Sequence, residues 1–391
     1  MSQLLNERWS DTKEALLEGL SGNRKASMSV CLENTRKYLS ESASSGATSA
    51  GNIATLNRVI LPVIRRVMPT VIANEIVGVQ PMTGPVAQIH TLRVRYADPA
   101  SDVVAGEEAL SPFKIAQAYS GNDDGTYPKA ASTAQLEGTP GRRMSIQILK
   151  APVEAKSRKL SARWTFEAAQ DAQAQQGIDI EAEIMAALAQ EITTEIDQEI
   201  LASLRNLATV EETYDQNFVS GTATFVGDEH AALAIQINRV ANLIAQRTRR
   251  GAGNWAVVSN QALTILQSAT TSAFARTTEG TFEAPTNTKF VGTLNGAMRV
   301  YVDAYKTDTD DDNQVLIGYK GASEADAAAF YCPYIPLMSS GVVLDPTTFE
   351  PVVGFLTRYG YVELNNTASS LGNAADYLGK VAINHLNVSF K

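Results

Sequence analysis

The chain has 391 residues, of which 44% are hydrophobic and 19% are charged; this excludes a disordered tail, a collagen-like repeat and a small disulfide scaffold. Its 33 Lys and Arg against 42 Asp and Glu leave a net charge of −9, so the surface as a whole is poorly suited to binding phosphate backbones. Cys31 and Cys332 are too far apart in sequence for a disulfide framework, which favours a reducing compartment. Since neither a secretory signal nor an apolar run of about 18 residues is visible, we expect a soluble protein made inside the cell.

Residues 1–52 are predicted to be a helical segment followed by a flexible linker. Two short helices within residues 3–39 are separated at Ser21, Gly22 and Asn23, and their apolar face consists of Leu4, Leu5, Leu16, Leu17 and Leu20. Ser, Ala and Gly supply ten of the thirteen positions in residues 40–52, which is the composition of a linker.

Residues 53–79 are strongly apolar, but Pro62, Pro69 and Pro81 punctuate the segment. Proline is tolerated at the first position of a helix and not inside it, so we predict short helices that begin at Pro62 and Pro69 and form a bent arm. Because such an arm buries little against itself, we expect other subunits or a distant part of the fold to cover it.

A strand, a long irregular excursion and further strand character come next. Apolar and polar residues alternate from Ile89 to Tyr96, and strand character returns from Met144 to Leu160. Residues 97–141 between them are interrupted by several Gly and Pro residues. A loop of this length in a compact domain is usually functional or reaches another chain.

A long helix is predicted within residues 165–207 because apolar residues recur at every fourth position. The row consists of Ile180, Ile184, Leu188, Ile192, Ile196, Ile200 and Leu204. At 100° per residue each step of four overshoots a full turn by about 40°, so the row winds around the helix. We therefore expect a spine about 45 Å long that meets different partners along its length.

The remaining sequence mixes helices and strands without a regular alternation. Helices are predicted over 231–247 and 261–268, and strands over 255–259, 299–302, 315–317, 329–331, 354–364 and 381–390. This order is neither βαβ nor all-β, so the predicted fold class is α+β.

Two motifs resemble cofactor or metal sites by their letters alone. Residues 251–256 read GAGNWA, but a dinucleotide site needs a strand before and a helix after the glycines, and here the order is reversed. The acidic run Asp308–Asp312 has Asn313 where a calcium loop needs Gly, so we interpret it as a hairpin tip. We predict no catalytic, cofactor-binding or metal-binding residues.

Charges are segregated around the predicted spine. Nine carboxylates and no basic residues lie between Trp164 and Leu204, and Glu191, Glu195 and Glu199 share one helix face. The preceding stretch is basic and contains Arg142, Arg143, Lys150, Lys156, Arg158, Lys159 and Arg163. We predict that these two groups contact each other between adjacent subunits; the alternative is two solvated faces screened by salt.

Five blocks of the sequence together resemble the major capsid protein family of T-even-type tailed bacteriophages. They are residues 64–99, 153–200, 251–266, 317–337 and 346–364, in family order. The resemblance implies the HK97-like capsid fold, which has an N-terminal arm, an extended E-loop, a peripheral domain on a long spine helix and an axial domain. The excursion at 97–141 is too short for the inserted domain that T-even members carry, so no role of that insertion is transferred.

The resemblance implies a division of the chain along these lines. The N-terminal segment and linker occupy 1–52, with a possible propeptide to residue 41, and the N-arm occupies 53–79. The peripheral domain takes 80–96, 144–228 and 341–391, while the E-loop takes 97–143 and the axial domain 229–340.

The expected function is that of a structural subunit, not an enzyme, that self-assembles into hexamers and pentamers of an icosahedral head around packaged double-stranded DNA. Scaffold, portal and decoration proteins are expected partners, no cofactor is expected, and the location is the virion after assembly in the host cytoplasm. An encapsulin-like compartment and an enzyme without a recognisable motif are the alternatives.

The resemblance also implies a processing site, because members of this family lose an N-terminal segment to a prohead protease that cuts after Glu in a Leu/Ile-x-Glu context. Leu39-Ser40-Glu41 fits that pattern and precedes Ser42 at the start of the predicted linker. An exposed linker enters a protease cleft more easily than a helix, so Glu41 is the preferred position. Retention of residues 1–41 in the shell is the alternative.

Overall fold

The computed structural model describes most of the chain. The described residues are 9–10, 13–45, 71–100, 103–107, 109, 119–123, 128–137, 141–176, 180–215, 226–248, 250–268, 274–276, 289–303, 305, 313–324, 326–348, 350–364 and 374–384.

Helices and strands alternate irregularly, which confirms the predicted α+β class. The helices are α1 (Gly22–Ser45), α2 (Ala73–Ile76), α3 (Thr133–Leu136), α4 (Phe166–Gln176), α5 (Ile180–Leu207), α6 (Val226–Thr248) and α7 (Asn260–Ser268). The strands are β1 (Gly78–Val79), β2 (Val86–Tyr96), β3 (Asn122–Asp123), β4 (Pro128–Lys129), β5 (Met144–Glu154), β6 (Lys156–Arg163), β7 (Val210–Asp215), β8 (Trp255–Val258), β9 (Phe274–Arg276), β10 (Lys289–Leu294), β11 (Met298–Val302), β12 (Gln314–Gly318), β13 (Ala329–Ser339), β14 (Val343–Leu344), β15 (Pro351–Glu363) and β16 (Leu378–Asn384). A 3-10 turn covers Ala374–Tyr377.

The chain forms two compact units. Unit one comprises residues 1–87, 153–203 and 329–362, and unit two comprises residues 88–152, 204–328 and 363–391. Both units are discontinuous in sequence, so each is closed by contacts between segments that are far apart along the chain.

Unit one is built on a sheet in which β1, β13, β15 and β14 lie side by side and β6 also pairs with β15. Strand β13 is a nearly continuous apolar run, and its residues are buried on both faces from Ala329 to Pro333. Strand β15 alternates buried and half-buried residues, as a strand with one core-facing side does. Strands β6 and β15 are antiparallel, with Arg158 opposite Thr357 and Lys156 opposite Tyr359.

The predicted spine is present as α5, whose 28 residues extend about 42 Å. Within unit one, Ile192, Ile196 and Ile200 of the four-residue row are buried, whereas Ile184 and Leu188 are half-buried. The polar residues Thr193 and Asp197 are buried beside the later part of the row, so this stretch of the helix is enclosed on more than one side.

Unit two contains a seven-stranded mixed sheet in the order β7, β16, β12, β8, β11, β10, β9. Helix α6 packs against this sheet and buries an apolar stripe at positions i, i+4, i+7 and i+11 in the hydrophobic core of unit two. The stripe consists of Leu233, Ile237, Val240 and Ile244. The same unit includes a separate two-stranded ribbon formed by β2 and β5.

One prediction about local structure needs correction, and three lie outside the described residues. The linker prediction is wrong over residues 40–45, because α1 continues to Ser45. Alanine and serine are common in linkers, but neither breaks a helix as glycine does, and the first glycine after Gly22 is Gly46. The helix predicted at Pro62, the tip at 308–312 and the strand residues after 384 lie outside the described part.

Candidate assembly surfaces

Arg158 is the centre of a polar cluster inside unit one. It lies on β6 with its side chain 32% exposed, and its guanidinium donates to Glu195 Oε2 at 2.7 Å and to Glu199 Oε2 at 2.5 Å. Its Nε donates to the Tyr359 hydroxyl at 2.6 Å, and that hydroxyl donates in turn to Glu199. The cluster therefore joins α5 to the paired strands β6 and β15.

The protonation states of the cluster follow from these contacts. Burial alone would raise the pKa of Glu199, but hydrogen bonds from Arg158 and Tyr359 outweigh burial and lower it below its ordinary value. Burial, together with the hydrogen bond to Glu199, raises the pKa of Tyr359 to about 12. The neutral phenol of Tyr359 and the ionised carboxylate of Glu199 therefore persist together at neutral pH.

The structure thus brings together Arg158, Glu195 and Glu199 of the predicted site, and it does so within one chain. Arg158 thus pairs with carboxylates of its own α5, while the contacts predicted between adjacent subunits stay a prediction. Sequence reasoning missed Tyr359, which is 201 positions from Arg158. Its only local signal is its place on the buried face of the alternating strand β15.

The other predicted basic residues have different surroundings. Arg163 is exposed and lies 3.8 Å from Glu350, at the other end of β6. Lys156 and Lys159 are exposed on the same strand, and within the described part of the chain Lys159 forms no ion pair. Glu191 is exposed on α5, one turn before Glu195. Lys159 and Glu191 are therefore the exposed charges of this group that remain available to another molecule.

Arg142 and Arg143 find their partners in unit two. Arg143 donates from its backbone to Asp98 Oδ2 at 2.7 Å and from its side chain to Asp98 Oδ1 at 3.2 Å. These hydrogen bonds lower the pKa of Asp98. Arg142 lies over the ring of Tyr119, 5.9 Å from its centroid, and donates to the Tyr119 carbonyl. Tyr119 in turn packs against Tyr96. The two arginines therefore stabilise the place where the irregular segment 97–141 joins β2 and β5.

The ribbon strand β5 presents an apolar face to solvent. Met144, Ile146 and Ile148 alternate along it and are 53%, 68% and 62% exposed. Strand alternation places them on one side, with Ser145 and Gln147 on the other. A row of large apolar side chains on a two-stranded ribbon is unusual for a surface that stays in water, and it indicates a protein–protein contact.

The candidate processing site lies in helix α1. Glu41 and Ser42 have helical backbone, four and three residues before the end of the helix at Ser45. The prediction placed this bond in an extended linker, and that context is wrong. Cleavage there requires the last turns of α1 to unwind first.

The described residues give no support to a cofactor or metal site. A helix precedes and a strand follows residues 251–254, as expected from the sequence. A Cβ on Gly251 would lie 2.6 Å from the Tyr319 ring and one on Gly253 would lie 2.9 Å from Ile317, so both glycines serve close packing. Among described residues, no group of three or more His, Cys, Asp or Glu could hold a metal, and no helix is long and apolar enough to cross a membrane.

Residues 53–383 match the family model described as major capsid protein Gp23. Among curated relatives, the major capsid protein of Vibrio phage KVP40 is 30% identical, over 84% of this chain and 80% of the relative. That of Enterobacteria phage T4 is 28% identical, over 86% and 80%.

Solved structures similar to the chain come from phages as well. One from Microbacterium phage Oxtober96 has a TM-score of 0.47 at 12% identity, covering 80% of this chain and 90% of that one. The capsid of Myoviridae phage XM1 has a TM-score of 0.44 at 10% identity, covering 78% and 88%.

Proposed function

This chain belongs to the Gp23 major capsid protein family, and from that premise we propose that its copies form the hexamers and pentamers of an icosahedral head that encloses double-stranded DNA. It is a major capsid protein of a tailed phage, a structural class and not an enzyme class. The HK97-like fold follows from this membership. Neither a cargo-loading compartment nor an enzyme is supported by the family match.

One observation supports assembly most directly, and it is the exposed apolar face of β5. Removing an apolar side chain from water contributes roughly 25 cal/mol per Å² buried, so Ile146 and Ile148 each gain on the order of 1.5–3 kcal/mol when fully covered. The same ribbon repeated in every copy supplies this gain at every contact around a capsomer. We assign a second copy of the chain as the molecule that covers it.

The parts of the fold take the following proposed roles. Residues 53–79 are the N-arm, 97–143 the E-loop and 229–340 the axial domain, while 80–96, 144–228 and 341–391 form the peripheral domain. Lys159 and Glu191 are exposed on neighbouring elements of unit one, so we propose that they contribute to contacts between peripheral domains of adjacent copies. Such exposed pairs stabilise by only about 0–1 kcal/mol each and depend on salt.

The net charge of −9 fits a wall that should enclose DNA without binding it, because excess negative charge repels phosphate. Scaffold, portal and decoration proteins are the further partners we propose. Assembly in the host cytoplasm is also part of the proposal.

Electron microscopy of the expressed chain, alone and with the scaffold protein of its phage, tests this function. Shells or six- and five-membered rings are expected. A small discrete oligomer in both preparations, with no rings, contradicts the proposal.

A further inference from the structure

The two-stranded ribbon of β2 and β5 in unit two is exposed on both faces of β5. Every side chain from Met144 to Ile148 is exposed. A two-stranded ribbon is only marginally stable by itself, because it buries too little apolar surface to offset the loss of chain entropy. The ribbon therefore needs a further source of order, and the structure supplies one where the irregular segment 97–141 joins it.

A small hydrophobic core closes this end of the ribbon. Its side chains are at most 8% exposed and belong to Tyr96, Val103, Ala109 and Tyr119. The ring centroids of Tyr96 and Tyr119 lie 4.5 Å apart, with the ring planes tilted by 50°. Three of the four residues follow the end of β2 at Tyr96, so most of this core comes from the irregular segment itself.

Backbone hydrogen bonds fold the beginning of the segment back onto β2. Tyr96 donates its N–H to the carbonyl of Glu107 at 2.9 Å and accepts from the N–H of Gly106 at 2.8 Å. Ala109 donates to the carbonyl of Val94 at 2.8 Å. Gly106 has a φ of +91°, which a residue with a Cβ rarely adopts, and this conformation lets the chain reverse. These bonds add backbone pairing to the end of the ribbon.

The hydroxyl of Tyr119 joins the two ends of segment 97–141. It donates to the carbonyl of Arg143 at 2.5 Å and accepts from the N–H of Asp98 at 3.3 Å. The same carbonyl accepts the N–H of Ala97 at 3.0 Å, and Asp98 Oδ2 accepts the backbone N–H of Arg143 at 2.7 Å. Asp98, Tyr119 and Arg143 thus form a clasp that holds the beginning of the segment against the residue just before β5.

We propose that this clasp holds the ribbon in shape in the free subunit, so that the apolar face of β5 meets a second copy as a pre-formed surface. The inference rests on the proposed function, since it concerns the ribbon that we assign to contacts between copies. A surface that is ordered before contact loses less chain entropy on binding than one that orders during binding, which favours association. Tyr119 is a positioning residue, because it is buried in the small core and acts on the contact through the ribbon.

Hydrogen exchange of the unassembled full chain tests the proposal in the wild type. The amides to follow are those that donate the bonds described above, and they belong to Tyr96, Ala97, Gly106 and Ala109. In a pre-formed clasp they should exchange at least about a hundredfold more slowly than in an unstructured peptide. Exchange at the rate of an unstructured peptide overturns the proposal, and this result does not depend on any variant.

Tyr119→Phe keeps the aromatic ring and removes only the hydroxyl. It should speed exchange of the Ala97 amide by roughly tenfold and lower the yield of assembled particles at a fixed subunit concentration by about fivefold, since two hydrogen bonds are lost. Tyr319→Phe is the matched control, because it removes a hydroxyl elsewhere in unit two that donates to the carbonyl of Arg250 at 3.3 Å. The control should leave both measurements unchanged.

Equal exchange or equal assembly yield from these two variants contradicts the proposal. The exchange experiment uses unassembled protein, so its outcome is separate from the formation of shells. Shells from a wild type whose clasp amides are unprotected contradict only this inference. Protected amides in a chain that forms neither shells nor rings contradict only the proposed function.

Discussion

Strands β5 and β13 have the same length of eleven residues and contain many large apolar side chains, yet Met144, Ile146 and Ile148 of β5 are exposed whereas most of β13 is buried. In β13 the apolar residues are consecutive and buried on both faces, and helix α1 packs against the strand. In β5 they alternate with polar residues, which predicts one buried face, but that face is exposed in the subunit. The difference teaches that β13 is used to fold the subunit, while the apolar face of β5 is left uncovered and, in the proposed assembly, contacts another copy.

The largest effect on subunit stability is expected at β13. Phe330 is 1% exposed, and Phe330→Ala should lower the free energy of unfolding by about 3–5 kcal/mol through lost burial and a cavity. Urea denaturation of unassembled protein measures the change. The matched comparison is Ile146→Ala on β5, which should change unfolding by less than about 0.5 kcal/mol. Equal losses from both substitutions would contradict the division between the strands.

A charge placed on the apolar face of β5 should affect assembly more than folding. Ile146→Asp places a charge on the apolar face of β5 and should reduce assembly by roughly tenfold or more, given the burial free energy of one isoleucine. Sedimentation or light scattering measures assembled mass, with urea denaturation as the check on folding. Gln147→Asp adds the same charge on the opposite side of the strand and should assemble normally. If Gln147→Asp is as defective as Ile146→Asp, the apolar face is not the contact.

Acid should loosen the Arg158 cluster. Glu199 has a folded pKa below its unfolded value of about 4.3, so its stabilisation is fully present above that pH and is lost as pH falls through the folded pKa. Glu199→Gln should therefore be less stable than wild type at pH 7, by less than about 1 kcal/mol because the site is partly exposed, and the gap should close below pH of about 4. The midpoints of urea denaturation of both proteins, measured at each pH, give this difference in stability. A difference that stays constant with pH would refute the lowered pKa of Glu199.

The smallest effect is expected at Lys159. Since Lys159 forms no ion pair within the described chain, Lys159→Glu should leave unfolding unchanged and weaken assembly by about 0–1 kcal/mol per contact, mainly at low salt. Assembly yield measured against salt concentration shows the effect. Lys25→Glu makes the same charge change elsewhere and serves as the control. Arg158 is unsuitable for this test because its replacement breaks contacts inside the subunit. An unchanged salt response for Lys159→Glu removes this residue from the proposed interface.

The sequence by itself predicted the elements whose signal is local. The four-residue row in 180–204 predicted α5, and alternation predicted β2, because periodicity depends only on the backbone geometry of one element. The family was also recognisable from blocks spread along the chain. The end of α1 was misjudged because Ser and Ala occur in both helices and linkers, and only Gly46 marked the stop.

Tertiary structure alone decided which polar groups meet and which apolar faces are covered. Arg158 bonds Tyr359 across 201 positions and Asn34 bonds Tyr334 across 300, and neither pairing leaves a mark on the local pattern. Burial has the same origin, since a side chain is covered by residues from distant segments. The alternating sequence of β5 predicts that one face of the strand is buried. Among the described residues of the subunit, none covers that face. In the proposed assembly, the surface that covers it belongs to another copy of the chain.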